Sequence, residues 1–493
     1  LNTVIKDLRD YVKLSESLGV LKKIEGADWN LEVAALADLY RRRKSILFDK
    51  IKDYPEGFRI LSNLFSSRKQ QKALFGAPLD LSTLDFIRFI KERMAAFSSV
   101  KPMEVSSGPV MENIMSGDEV DVYKLPAPKW REQDGGRYIG TADLVITRDP
   151  DSGWVNLGTY RVMIQDKNTV ASYMSPGRHG RMMREKYWQR GKSCPVAVAC
   201  GQDPLLFSMS FSSVPFGVSE YEFAGWLKGS PIEVVKAPYT GLPIPAAAEI
   251  VIEGEMPPPE KESRPEGPFG EWTGYYGSGT RTEPIIHIKN ILHRNNPILM
   301  VASGGLVPSE MGGNVIRSAM LWSQMEQAGV PGINGVWCME PGGSYLLVAI
   351  SIKQGFPGHA KQAAMAAGGC REGTYMNRYT IVVDDDIDPT NEEDVWWAIA
   401  SRSDPRTSID IIDNCWSSPL DPRLDPVKRA AGDYTTSKAI INACRPFHWM
   451  KDFPKVVGST PELTQKVINK YKNILSDLTP EELYRNARSK VVR

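Results

Sequence analysis

The chain reads as a multidomain α/β (α+β) protein. We expect an N-terminal α/β segment over residues 1–105, a β-rich domain over 106–307, a linking helix over 308–330 and a C-terminal α/β domain over 331–493. Three observations predict this. Helix and strand signals alternate near both ends, short strand-like runs fill the middle, and 493 residues suffice for two to four cores.

The elements follow in order. Asp7 to Leu18 places Leu8, Tyr11, Val12, Leu14 and Leu18 at helical spacing, and Gly19 supplies a stop. Leu31 to Arg43 is a second helix, Ser45 to Phe48 a strand, and Leu81 to Phe97 a third helix that Asp80 or Ser82 can cap. Between residues 110 and 300 the β-rich runs are Asp143–Thr147, Tyr160–Ile164, Pro195–Ala199, Ile232–Val235, Glu249–Glu253 and Ile285–Lys289. Gly and Pro turns divide them, a texture that predicts a barrel or sandwich. Met256-Pro-Pro-Pro-Glu260 is a stiff extended bend. Ser309 to Gly329 reads as one long helix. Beyond it Tyr345–Ile352 and Tyr379–Val383 read as strands, and His359–Ala367, Glu392–Ala400, Pro461–Ile474 and Thr479–Arg488 as helices.

Composition narrows the function classes. The chain is 42% hydrophobic and 24% charged, which excludes a disordered or collagenous protein. Sixty Lys and Arg against 59 Asp and Glu leave a net charge of +1, with no global attraction for nucleic acid or anionic membrane. The mean hydropathy is −0.30. No run of 18 apolar residues predicts a membrane span, and the charged N-terminus does not resemble a secretory signal. Six cysteines without a C-x-x-C pair suggest reduced thiols and a cytoplasmic location. A P-loop, a G-x-S-x-G elbow and a dinucleotide G-x-G-x-x-G are all absent.

Three windows carry chemistry. In Arg264-Pro-Glu-Gly-Pro-Phe-Gly-Glu-Trp-Thr-Gly-Tyr-Tyr276, Glu266 and Glu271 lie five apart on a Pro/Gly loop. Enclosure by Phe269, Trp272, Tyr275 and Tyr276 would raise a carboxyl pKa toward proton-transfer range, whereas a surface turn would leave both acids solvated. In the second window, Asn156, Thr159 and Tyr160 offer polar groups. Arg161 and Arg178 are forks for phosphate or carboxylate, and His179 lies between Gly177 and Gly180. The third, Ser219-Glu-Tyr-Glu-Phe-Ala-Gly225, opens a short helix whose N-terminus favours Glu220. Asp384-Asp-Asp-Ile-Asp388 has the letters of a magnesium motif, but it follows a strand and enters a helix through Pro389-Thr390, so we read it as a structural turn.

Jointly these windows resemble the UbiD family of reversible decarboxylases, which use prenylated FMN (prFMN). Glu266-Gly-Pro-Phe-Gly-Glu271 matches the family's E-x-P-[FY]-G-[ED] motif. Ser219–Gly225, the K-x-x-[FY]-P-G-H-A stretch Lys353–Ala360 and Val383–Asp386 follow the same pattern, in the same order.

The resemblance implies a split β-barrel flavin-binding domain in the middle of the chain and a C-terminal oligomerisation domain, giving a homodimer or homohexamer. It implies that Asn156, His179 and Glu220 hold Mn2+ or Mg2+ against the cofactor phosphate, a donor set suited to a hard octahedral cation. It places Arg161, Glu266 and Glu271 as the catalytic network, with Glu271 as proton donor. Asn156, Leu157, Gly158, Thr159, Tyr160, Arg161, Arg178, His179, Glu220 and Lys353 fall at cofactor-contacting positions, and Trp154, Met209, Ser210 and Ser212 at a K+ site built from main-chain oxygens. The implied activity is reversible, non-oxidative loss of CO2 from an aromatic, heteroaromatic or α,β-unsaturated acid, with cofactor supplied by a flavin prenyltransferase. Two other readings are a non-catalytic flavin-binding or assembly subunit of a larger carboxylase, and a flavin-free hydrolase or lyase using the two Glu. Trp337, Met339, Trp416 and Leu420 are candidates for the substrate pocket.

Overall fold

The computed structural model describes residues 5–212, 214–277, 279–303, 313–478 and 483. The start of the helix expected from Ser309, and the helix expected over Thr479–Arg488 apart from Leu483, lie outside them. The chain divides into two compact units, Leu1–Ala77 with Glu92–Gly313 and Pro419–Arg423, and Pro78–Lys91 with Asn314–Ser418 and Leu424–Arg493. Among the described residues no helix is long and apolar enough to cross a membrane. All six cysteines are free of disulfides.

The first unit is built on a ten-stranded sheet. Its strands are β1 (Asn113–Ser116), β2 (Tyr138–Gly140), β3 (Asp143–Arg148), β4 (Val155–Gly158), β5 (Val162–Asp166), β6 (Thr169–Ser172), β7 (Cys194–Cys200), β8 (Ile250–Met256), β9 (Ser263–Glu266) and β10 (Arg281–His293). The order is β2-β5-β6-β10-β8-β7-β3-β4, with β9 and β1 also paired to β10. In that order β4 ends the row and β5 stands second from the opposite end. Laid flat, the two would be about 29 Å apart. The chain passes from Gly158 to Val162 in four steps, which reach at most about 14 Å. The sheet must therefore curl until its ends meet, and Thr159, Tyr160 and Arg161 form the corner where they do. The expected strand over 160–164 begins at Val162 for this reason.

The corner is tightly built. A Cβ on Gly158 would lie 2.5 Å from the Tyr160 ring, so only glycine lets that ring fold back. Apolar side chains including Trp130, Tyr138, Val145, Val162, Val198, Ile252 and Ile288 fill the curl and make one core. A four-stranded sheet (Leu21–Glu25, Ser45–Asp49, Arg59–Ser62, Ile298–Met300) shares that core through Ile46, Phe48 and Ile60. Helices α1 (His179–Gln189) and α2 (Glu220–Lys228) both pack on β4.

The second unit holds a five-stranded mixed sheet in the order Ile333–Cys338, Leu347–Ile352, Tyr379–Asp384, Thr435–Ala443, Ile409–Trp416. The long helix is described over Gly313–Gln327. The Asp384 segment is the structural turn its context predicts. Arg402 reaches Asp384 at 3.1 Å and both Asp386 oxygens at 2.8 Å, and Asp388 accepts from the Thr390 N–H.

Candidate active site

The corner residue Arg161 leaves the backbone between the two sheet ends and points into the curl. Its guanidinium forks onto Glu266, the last residue of β9, with Nε–Oε1 and Nη2–Oε2 both at 2.7 Å. The remaining nitrogen, Nη1, donates to Glu271 Oε1. Arg161, Glu266 and Glu271 are 8%, 0% and 6% exposed, so one guanidinium is bonded to two carboxyls away from water. Tyr173 and Phe269 lie 4.7 and 5.5 Å from the guanidinium carbon. These aromatic faces complete the box and favour the cation.

Position along the loop sets the two acids apart. Gly267 turns the chain at φ +80° straight after Glu266. Glu271 begins a tight turn, its N–H donating to Tyr275 O and its own carbonyl accepting from Gly274. The same turn sends aromatic side chains outward. Of the four aromatics expected to enclose the carboxyls only Phe269 is buried, while Tyr275 and Tyr276 are exposed and Trp272 half-buried. Tyr138 and Tyr173 take their place, and no local pattern in the sequence marks them. Burial pushes the Glu271 carboxyl pKa up, Arg161 pulls it down, Glu266 pushes it up again, and the net direction is up. Burial opposes the Arg161 charge, but Glu271 and Glu266 outweigh it and raise the guanidinium pKa.

A second polar pocket lies along β4. The Glu220 carboxylate, at the first residue of α2, accepts from Asn156 Nδ2 at 2.9 Å and from the Leu157 N–H at 2.7 Å. Burial pushes Glu220 up to about 8 against those donors. Asn156 Oδ1, Trp154 Nε1 and Ser219 Oγ are buried there without a hydrogen-bond partner among the described residues. Buried polar atoms are ordinarily satisfied, so this donor set fits a cation and an anionic group. His179 starts α1, half-buried, its ring edge-on to Trp154 at 4.9 Å and to Phe216 at 5.7 Å. Two helix N-termini thus meet the strand that carries Asn156, a disposition suited to phosphate. Among the described residues no cluster of three His, Cys, Asp or Glu could hold a metal, and the expected set depends on the Asn156 oxygen as its third protein ligand.

The other expected positions divide between the units. Thr159 and Ser210 share a hydrogen bond of 2.5 Å, and Thr159 also donates to Asp143 O. Of the carbonyls expected at the K+ site, Trp154 O accepts from the Asp149 N–H, and Met209 O accepts from both the Phe211 and Ser212 N–H groups. The Ser212 hydroxyl donates to Ser208 O. Arg178 is exposed at the α1 N-cap, and its charge opposes the burial that pushes Tyr160 up to about 12. Lys353 is exposed in the second unit, just past the strand Leu347–Ile352. Trp337 and Met339 are core residues of that unit, and Trp416 is exposed on its outer strand. Leu420 lies in the first unit beside the Glu271 loop. A Cβ on Gly277 would meet Glu271 Cγ at 2.9 Å and Leu420 Cα at 3.5 Å.

Comparison with known proteins shows which family shares this sequence and fold. Residues 101–306 match the model of the 3-octaprenyl-4-hydroxybenzoate carboxy-lyase Rift-related domain, 310–443 its C-terminal domain and 12–94 its N-terminal domain. The pyrrole-2-carboxylic acid decarboxylase of Pseudomonas aeruginosa is 32% identical over 466 residues, covering 90% of this chain and 92% of that one. The open form of vanillic acid decarboxylase from Sedimentibacter hydroxybenzoicus superposes with a TM-score of 0.83 at 30% identity, over 96% of this chain and 100% of that one. An evolved dimeric form of the UbiD-class enzyme HmfF from Pelotomaculum thermopropionicum, in complex with prFMN, gives 0.78 at 27% identity over 92% and 97%. An arginine clasped by two buried carboxyls, in a curled sheet shared with decarboxylases along nearly its whole length, places this chain in the UbiD family of carboxy-lyases.

Proposed function

We propose that this protein removes CO2, non-oxidatively and reversibly, from an aromatic, heteroaromatic or α,β-unsaturated carboxylic acid, with Glu271 as proton donor. The observation that carries the reading is the buried Glu266–Arg161–Glu271 cluster. Loss of CO2 leaves an electron pair on an sp² carbon that no side chain can accommodate, and bound prFMN supplies the electron sink. The protein's own groups do the rest. Arg161 is a permanent cation that orients the substrate carboxylate and Glu266. Glu271, its pKa raised by burial, holds a proton for the carbon from which CO2 departs.

In this reading residues 106–307 form the cofactor domain and 331–493 mediate self-association. Asn156 to Arg161, Arg178 and His179 would hold the cofactor, and Asn156, His179 and Glu220 would hold a Mn2+ or Mg2+ that neutralises its phosphate. The family resemblance adds Lys353 to the cofactor set and a K+ at Trp154, Met209, Ser210 and Ser212. The unpartnered Asn156 Oδ1 supports the divalent site. A flavin prenyltransferase must supply the cofactor, since no motif in this chain performs prenylation.

The test is a CO2-release screen over aromatic, heteroaromatic and unsaturated acids, using protein made with and without that prenyltransferase. Turnover only with the prenylated cofactor is expected, and turnover with FMN alone would overturn the reading. His179→Ala should lose manganese and flavin together, measured per chain by elemental analysis and absorbance. Full retention of both would remove His179 from the site.

A further inference from the structure

Tyr138 stands 128 residues from Glu266 in sequence, and the curl brings its hydroxyl to the cluster. It is wholly buried on β2, and its ring packs on Phe269 with centroids 4.5 Å apart. The phenol oxygen lies 3.2 Å from both Glu266 Oε1 and Pro268 O. A phenol has one hydrogen to give. Pro268 O already accepts from the Gly135 N–H at 2.9 Å, and a carboxylate is the stronger acceptor, so the hydrogen goes to Glu266.

Glu266 then accepts three hydrogen bonds, two from Arg161 and one from Tyr138. Glu271 accepts one, on Oε1. Its Oε2 makes no hydrogen bond among the described residues. A proton placed on Glu266 would confront donors at both oxygens, whereas a proton on Glu271 Oε2 meets none. We propose that Tyr138 is a positioning residue that fixes Glu266 as the anionic partner of Arg161 and so consigns the transferable proton to Glu271. This rests on the reading of Glu271 as proton donor.

Other charges face the same cluster. Asp134, whose Oδ1 accepts from the Gly270 N–H, acts on Tyr138, Arg281 acts on Glu271, and Glu283 feels Glu266, Arg161 and Arg184. None of them bonds to either catalytic carboxyl, so Tyr138 is the group through which the two can be told apart.

The test compares wild type with Tyr138→Phe, which removes the hydroxyl and keeps the ring. In protein without cofactor, the carboxylic-acid C=O stretch is followed against pH by infrared difference spectroscopy, and Glu271→Gln identifies the band. Without the phenol, Glu266 competes for the proton, so the midpoint of the acid band should move to higher pH. In loaded enzyme the productive protonation state thins, and turnover should fall about 3- to 30-fold with flavin content and melting temperature retained. An unmoved midpoint, or lost turnover that tracks lost flavin or folding, would overturn the proposal. Failure of the loaded wild type to release CO2 from any acid would refute the donor reading and leave the infrared comparison standing.

Discussion

Among the arginines that hold two carboxyls in the described residues, Arg402 and Arg161 stand in sharp contrast. Arg402 binds Asp384 and Asp386, and Arg445 then adds its backbone N–H at 2.7 Å and its Nε at 3.0 Å to Asp384. Gln354 fills the remaining Asp384 oxygen at 2.7 Å, and the Asp386 side chain is 30% exposed. Two guanidiniums thus serve two carboxylates, one of which also meets water. Arg161 serves Glu266 and Glu271 alone, all three buried. One bonded cation faces two buried carboxyls, an arrangement that favours retention of a proton, and burial raises the Glu271 pKa above its ordinary value. Charge balance makes one cluster a staple and the other a candidate proton store.

Ways to break this contrast run from large to small. Glu271→Gln keeps shape and removes the proton, so turnover should fall by about 10²–10⁴-fold, measured as initial CO2 release with flavin loading checked by absorbance. Arg402→Met should do the opposite. It leaves Asp384 and the partly exposed Asp386 short of a partner, and should cost about 3 kcal/mol of stability in a denaturant titration. Specific activity of the fraction that remains folded should be little changed. Asp386→Asn, at the exposed end of the staple, should cost no more than about 1 kcal/mol by the same titration.

The pH dependence sharpens the contrast further. Glu271 titrates higher in the folded protein than the 4.5 of a free glutamate. Its stabilising contribution is therefore present below about pH 4.5 and is lost as pH rises through the folded value. Activity needs the same proton, so turnover and melting temperature should decline together on the alkaline side. Glu271→Gln should flatten that part of the melting curve, and Asp386→Asn should leave it in place.

Much of this was legible in the sequence. The spacing of Glu266 and Glu271 on a Pro/Gly loop left an enclosed pair and a surface turn both open, and the fold buries both side chains, whereas the entry through Pro389-Thr390 marked Asp384 as structural. Other features needed the fold. Nothing local identifies Tyr138 or Tyr173 as part of the cluster, because it is closure of the sheet that brings Tyr138 and Arg161 to Glu266, 128 and 105 positions away. The strand expected from Tyr160 starts two residues later because the chain changes sheet ends at that corner. Glu220 reads as an ordinary first-turn acid, and its burial against Asn156 is a tertiary fact. Tyr275 and Tyr276 looked like the wall of the pocket, but the turn starting at Glu271 directs them outward.

The central claim is that Glu271 holds the proton that replaces CO2. Decarboxylation in D2O, with the product read by mass spectrometry, tests it most directly. Wild type should place one deuterium on the carbon that carried the carboxylate. Glu271→Gln, with its flavin still bound, should neither label the product at the wild-type rate nor exchange deuterium into added product. Normal labelling and turnover in Glu271→Gln would contradict the account and leave Glu266 as the carboxyl to test.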